Sequence, residues 1–229
     1  SDFLVPVTAF VTDDFEVHRS QFLLVNKVKP LPRGLINELL PTVNTALPAS
    51  LAKNKIPSAL CDLLNRDPES PFQGLIIRQT TDRKKNKEAI IVDTSLLHVI
   101  RNSLNSPHGC LYQYRNVATG ETDVEAVRRA LNLYWSEVRN TFSQAWGKQP
   151  TRSRLMHGAG IKAMGVVMDR IMANVHADDK QSQNQVRGYL KKLKPFCAWT
   201  EGNWDSIDGR PWNAIQNTPT DIKTLSNAL

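Results

Sequence analysis

The sequence predicts an α+β fold that is predominantly helical, in which a short N-terminal strand and a small β-hairpin lead into a helical bundle. Three observations predict it. Apolar residues recur at helical spacing over most of the chain. Strand-like runs are confined to Val5–Val11, Leu75–Arg78 and Ala89–Val92. Hydrophobic residues make up 41% of the 229, enough for a packed core.

In chain order, Val5, Val7, Ala9 and Val11 fall on one face of a period-two run with no earlier strand to pair with. Either the three β-runs make one small sheet, or this chain is the later part of a longer protein. Asp13 and Asp14 supply a turn and a helix cap. Phe15, Phe22, Leu23 and Asn26 then mark a first helix, and Leu35, Ile36, Leu39 and Leu40 a second. Pro30 and Pro32 separate the two, because proline lacks the amide donor and pushes its predecessor out of the helical region. Asn26, Lys27, Lys29 and Arg33 therefore lie at a corner between two buried faces. Leu47–Leu64 has helical periodicity, with a break expected at Pro57. Asn65–Phe72 is a turn-rich connector. The runs around Ile76 and Ile91 flank a polar loop whose tip carries Arg83, Lys84, Lys85 and Lys87; a basic tip can touch phosphates, although solvation is its commoner role. Asp93 reads as the cap of a helix striped by Leu96, Leu97, Ile100 and Leu104, and residues 1–116 are expected to form a first unit.

Residues 117–229 are expected to form a helical C-terminal domain. Val127, Leu131, Tyr134, Trp135, Val138 and Phe142 stripe a core helix over Val124–Trp146. In Ser153–Val175, Gly158, Gly160 and Gly165 interrupt an otherwise apolar helix. Each glycine costs about 1 kcal/mol against alanine, so three imply close approach of another backbone or of a ligand. A basic helix over Asn184–Lys194, a Trp-rich connector over Trp199–Trp212 and a terminal helix over Pro219–Leu229 complete the chain.

The formal charge is +7 and the pI about 9.4. Lys148–Lys194 holds ten Lys and Arg against three Asp, which equals the whole excess. That distribution permits nucleic-acid binding. No run approaches the roughly 18 apolar residues of a membrane span, so no membrane is expected and the default is a cytoplasmic protein. Cys61, Cys110 and Cys197 are odd in number and widely spaced, which argues against a disulfide framework or a zinc site. His176-Ala-Asp-Asp179 lacks a second ligand cluster, so no metal is expected. Nucleophile elbows, phosphate-binding loops and zinc-protease motifs are absent. Of the five histidines only His157, beside Arg152, Arg154 and two glycines, reads as a site residue.

Four runs in order, Phe22–Pro41 (with Asn26-Lys-Val-Lys-Pro-Leu-Pro-Arg-Gly34), Leu64–Ile76, Arg152–Ile161 (Arg152-Ser-Arg-Leu-Met-His-Gly-Ala-Gly-Ile161) and Trp212–Ile222, together resemble the DGQHR-domain proteins. That family is similar to ParB and sulfiredoxin in its N-terminal half and is associated with bacterial DNA phosphorothioation and 7-deazaguanine DNA modification. The resemblance implies a DNA-associated component of such a system, with DNA and other DNA-modification proteins as partners. The Asp-Gly-Gln-His-Arg motif itself is missing, so the chain is expected to be the C-terminal part of a ParB-like protein, downstream of that motif, with the N-terminal half as a further partner. ATP would then belong to the complete protein, with no cofactor in this chain and no catalytic residue assignable. Asn26, Lys27, Lys29 and Arg33 are the expected nucleotide-pocket residues. Arg152, Arg154, His157, Lys162, Arg187, Lys191 and Lys192, together with Arg83, Lys84 and Lys85, are the expected DNA contacts, those on the two basic helices sharing one face. The alternatives are the helical C-terminal portion of an ATPase-like subunit, or a non-catalytic protein-interaction module.

Overall fold

Helices form wherever an apolar stripe could be buried, and the described strands are reduced to pairs of residues. A computed structural model of the chain describes residues 9, 11–25, 33–42, 49–82, 84 and 86–229. The described elements are α1 (Phe15–Val25), α2 (Arg33–Leu39), α3 (Ala49–Arg66), β1 (Ile76–Ile77), β2 (Ile91–Val92), α4 (Asp93–Asn105), α5 (Val124–Thr141), α6 (Gly158–Met172), α7 (Ser182–Leu193), β3 (Asn203–Trp204), β4 (Arg210–Pro211) and α8 (Pro219–Ala228). The predominantly helical α+β class is observed. The strand expected over Val5–Val11 lies outside the described residues except for Ala9 and Val11, and Val11 is almost wholly exposed.

α6 packs between α4 and α8, α5 against α7, and α3 against α4. The core runs from Leu60 to Leu225 and draws on both sides of residue 116. Its bulk is aromatic: Phe72, Trp135 and Trp146 meet edge to face or tilted, with centroids 5.2–6.2 Å apart. Trp199 meets Trp204 at 4.9 Å. The α5 stripe is thus core, as its spacing predicted.

Three local expectations are corrected. α3 runs unbroken through Pro57. It buries Pro57, Ser58, Leu60, Cys61 and Leu64, and this packing outweighs the single amide bond that proline removes, whose acceptor would be the carbonyl of exposed Lys53. β1 and β2 pair with each other, but in parallel, Ile76 with Ile91 and Ile77 with Val92, so residues 78–90 form a crossover and not a hairpin tip. The amides of Ile90 and Ile91 both donate to the Leu75 carbonyl at 2.9 Å, which directs both isoleucines into the core. Asp93 is the first residue of α4 and not its cap.

The Asp93 carboxylate is engaged instead by Arg78. That buried guanidinium lies 3.5 Å from Asp93, 2.8 Å from Asp62 and 3.9 Å from Glu38. Burial raises the Asp62 and Asp93 carboxyls, with the Arg78 charge acting the other way. The cluster pins the crossover to α2, α3 and α4.

Two of the α6 glycines have steric explanations. A Cβ on Gly165 would lie 2.5 Å from Val99 Cγ2, so Gly165 is where α4 and α6 approach. A Cβ on Gly160 would lie 2.1 Å from the Arg154 carbonyl oxygen, so Gly160 lets the incoming loop fold back over the first turn. Among the described residues no helix is long and apolar enough to cross a membrane.

Candidate functional site

The loop that Gly160 accommodates carries the site. The Arg154 amide donates to the Trp199 carbonyl at 2.7 Å, which anchors the loop on the Trp-rich connector. The Arg154 side chain is drawn inside with it. Its residue is 9% exposed, one terminal nitrogen donates to the Asn213 carbonyl, and Nε is buried with no hydrogen-bond partner. Three residues on, extended His157 caps α6, its Nδ1 accepting from the Ala159 amide at 3.4 Å. This contact requires a neutral ring with the proton on Nε2.

Lys162, one turn into α6, donates from Nζ to Asn217 Oδ1 at 2.9 Å. Asn217 and Ser95 also crowd Gly158, where a Cβ would come within 2.7 Å of Asn217 Nδ2 and 2.9 Å of Ser95 Oγ. The first turns of α4 and α6 and the connector before α8 thus converge. On α4, the Asn102 amide donates to His98 Nε2 at 2.9 Å, which makes that imidazole neutral as well when the bond forms. Arg101, Asn102, Lys53, Asn54 and Asp169 line an open cavity of about 580 Å³ farther along this helix. Ser95 to Asn105 spans about 15 Å along the α4 axis at 1.5 Å per residue.

The charges acting on the α6 N-terminus are cationic. Burial lowers the pKa of Arg154 and of Lys162. Burial also lowers His157, followed by the charges of Arg154 and Lys162, and it lowers His98, followed by Lys162 and Arg101. Among the described residues no carboxylate acts on any of the four. Among the described residues Arg78, Arg128, Arg129, Arg187 and Arg210 make ion pairs, and Arg101, Arg154 and Lys162 make none. Withdrawn cations are ordinarily paired, because desolvating an isolated charge is expensive. Here no described residue supplies the counter-charge, beside a helix N-terminus whose dipole favours an anion.

The other expected contacts fall elsewhere. Arg187 is bonded by Nε and Nη2 to Glu137 at 2.7 and 3.1 Å. Glu137 is fully buried and also receives Gln183 at 2.9 Å and Asn140 at 3.2 Å. Burial alone would raise its carboxyl, but the hydrogen bonds from Arg187, Gln183 and Asn140 hold it below the usual range. Arg187 therefore neutralises a core carboxylate, which corrects the expectation of one face shared by both basic helices. Lys192 lies beside Val167, Arg170 and Ile171, toward the C-terminal half of α6, and Lys191 and Lys192 are exposed. Arg152 and Lys84 are exposed too. Arg83, Lys85, Asn26, Lys27 and Lys29 lie outside the described residues, and Arg33 opens α2. Among the described residues no group of three or more His, Cys, Asp or Glu side chains could hold a metal.

The sequence therefore marks Arg154, His157 and Lys162 but misses His98, Arg101 and Asn217. Nothing local in their own segments singles them out; only the packing of α4 and the α8 connector on α6 brings them in.

The lowered imidazole pKa values set a pH dependence. A histidine whose folded pKa lies below its unfolded value, about 6.5, contributes stability above that value and loses it as the pH falls through 6.5 toward the folded pKa. Melting temperature should fall between about pH 7.5 and about pH 5.5, and His157→Asn, which keeps a capping acceptor without a titrating ring, should flatten the decline. A profile unchanged by the substitution would contradict this.

Comparison with protein-family models, with curated proteins and with solved structures returned no match.

Proposed function

We propose that the chain is a DNA-associated protein that holds backbone phosphates on the face built from the α6 N-terminus and the exposed side of α4, without strong sequence preference. The observation that carries this reading is the group of cations, buried Arg154 and half-buried Lys162 with Arg101 alongside, none of which makes an ion pair among the described residues. A phosphate supplies the missing charge at the positive end of the α6 dipole. Exposed Lys148 and Arg152 precede the loop, and Lys53 lies beside Arg101 on the cavity that Asp169 also lines. The resemblance to DGQHR-domain proteins supports DNA as the source of the phosphate and a bacterial DNA-modification system as the setting.

The test is duplex binding by fluorescence anisotropy with two variants of equal charge change. Arg101→Glu/Lys162→Glu should lose most of the affinity, whereas Lys191→Glu/Lys192→Glu should lose only the smaller share due to net charge. Equal losses in the two, or no binding by the wild type near 50 mM salt, would refute the assignment.

A further inference from the structure

We infer that the groove between α6, α7 and α8 is a docking site for an acidic amphipathic helix of a partner protein. The groove lies on a different part of the molecule from the α6 N-terminus and does not depend on the DNA reading. It has a volume of about 470 Å³, with Val167, Ile171 and Leu193 among the residues that line it and Tyr189, Lys192 and Phe196 along its α7 side. Three apolar side chains on or beside it are left in water: Phe196 is 66% exposed, Tyr189 46% and Val166 37%. A solvent-exposed apolar patch framed by polar residues is the surface form of a binding site.

Two features select the occupant. Tyr189, Lys192 and Phe196 recur at helical spacing along α7 and the turn that follows it, and the groove is walled by three helices, so the complementary shape is another helix laying its apolar stripe between them. The charged side chains are of one sign. No Asp or Glu side chain lines the groove. Lys192 has no carboxylate partner among the described residues, and Arg170 is held by neutral acceptors, the Ser226 carbonyl at 2.6 Å and the Asn227 amide oxygen at 3.5 Å. Lys191 and Lys194 are exposed next to them. Acidic residues flanking the partner's stripe would complete these charges. A second copy of this +7 chain would instead oppose cation to cation.

The probe is a panel of fluorescent helical peptides with leucines at i, i+3, i+4 and i+7 flanked by Asp and Glu, beside the same peptides flanked by Lys and Arg. The acidic set should bind and the basic set should not. Phe196→Ala, which removes a mostly exposed side chain and so leaves the fold intact, should weaken binding by about tenfold or more, as expected for an aromatic anchor. Lys192→Glu should weaken it further while duplex affinity stays near that of the wild type. Failure of the whole acidic panel, equal binding of the basic one, or no effect of Phe196→Ala overturns the inference. So does self-association that Phe196→Ala abolishes, which assigns the groove to a second copy. Loss of duplex affinity in Lys192→Glu with no peptide binding assigns it to nucleic acid.

Discussion

Lys162→Glu is expected to weaken DNA binding severely while leaving the melting temperature unchanged or higher. The substitution removes a charge-assisted contact and puts a negative charge where a phosphate would sit. Each such contact is worth about 1.5–3 kcal/mol, so loss plus repulsion should weaken binding on the order of 100-fold or more at low salt. Stability should move the other way. Burial lowers the pKa of both His157 and His98 and the Lys162 charge adds to it, and Arg154 is withdrawn from water with no carboxylate partner among the described residues. A glutamate at this position supplies that missing counter-charge from within the chain. A binding site that costs stability should be relieved when it is neutralised. Thermal melting and anisotropy on the same variant decide the matter. Binding lost with the fold retained supports a ligand role, and a melting temperature that falls with the binding assigns Lys162 to structure.

Gly165→Ala is expected to be the most damaging single-methyl change on α6 that leaves the site's own residues in place. The added Cβ would meet both γ-methyls of Val99, at 2.5 and 2.6 Å, and a β-branched side chain has little rotamer freedom to yield. α4 and α6 must separate, a cost of roughly 1–3 kcal/mol, which for a chain of this size lowers the melting temperature by about 2–4 °C per kcal/mol. Because His98 and Arg101 flank Val99 on α4, the same separation should weaken DNA binding. Val99→Ala opens the space, so the double variant should be more stable than the two single losses would sum to. Strict additivity would show that the two helices do not meet there.

The legible part of the molecule was the part fixed by local periodicity. The α5 stripe from Val127 to Val138 and the terminal helix from Pro219 follow from the sequence alone, and the structure adds the cap, Thr218 Oγ1 accepting from the Asp221 amide at 3.2 Å. What escaped depended on tertiary packing. Pro57 read as a break because a local rule cannot weigh the buried face of α3, and the parallel pairing of Ile76 with Ile91 is invisible to a period-two pattern that is the same for either direction. The site divides in the same way. Arg154, His157 and Lys162 are neighbours in one motif and could be read as a group. Arg187 looked equally basic until the fold set Glu137 beside it, and Arg101 and Asn217 gained meaning only from the contact of α4 and the α8 connector with α6.

The most direct measurement is the salt dependence of duplex binding by the wild type and by Lys162→Gln, from about 50 to about 200 mM monovalent salt. Cations that each hold a phosphate release counterions on binding, so the log–log slope should be about −0.9 per phosphate contacted and should become shallower by about that amount in the variant. Identical slopes, or a wild type that does not bind DNA at the lowest salt, would contradict the assignment of this cationic face to nucleic acid.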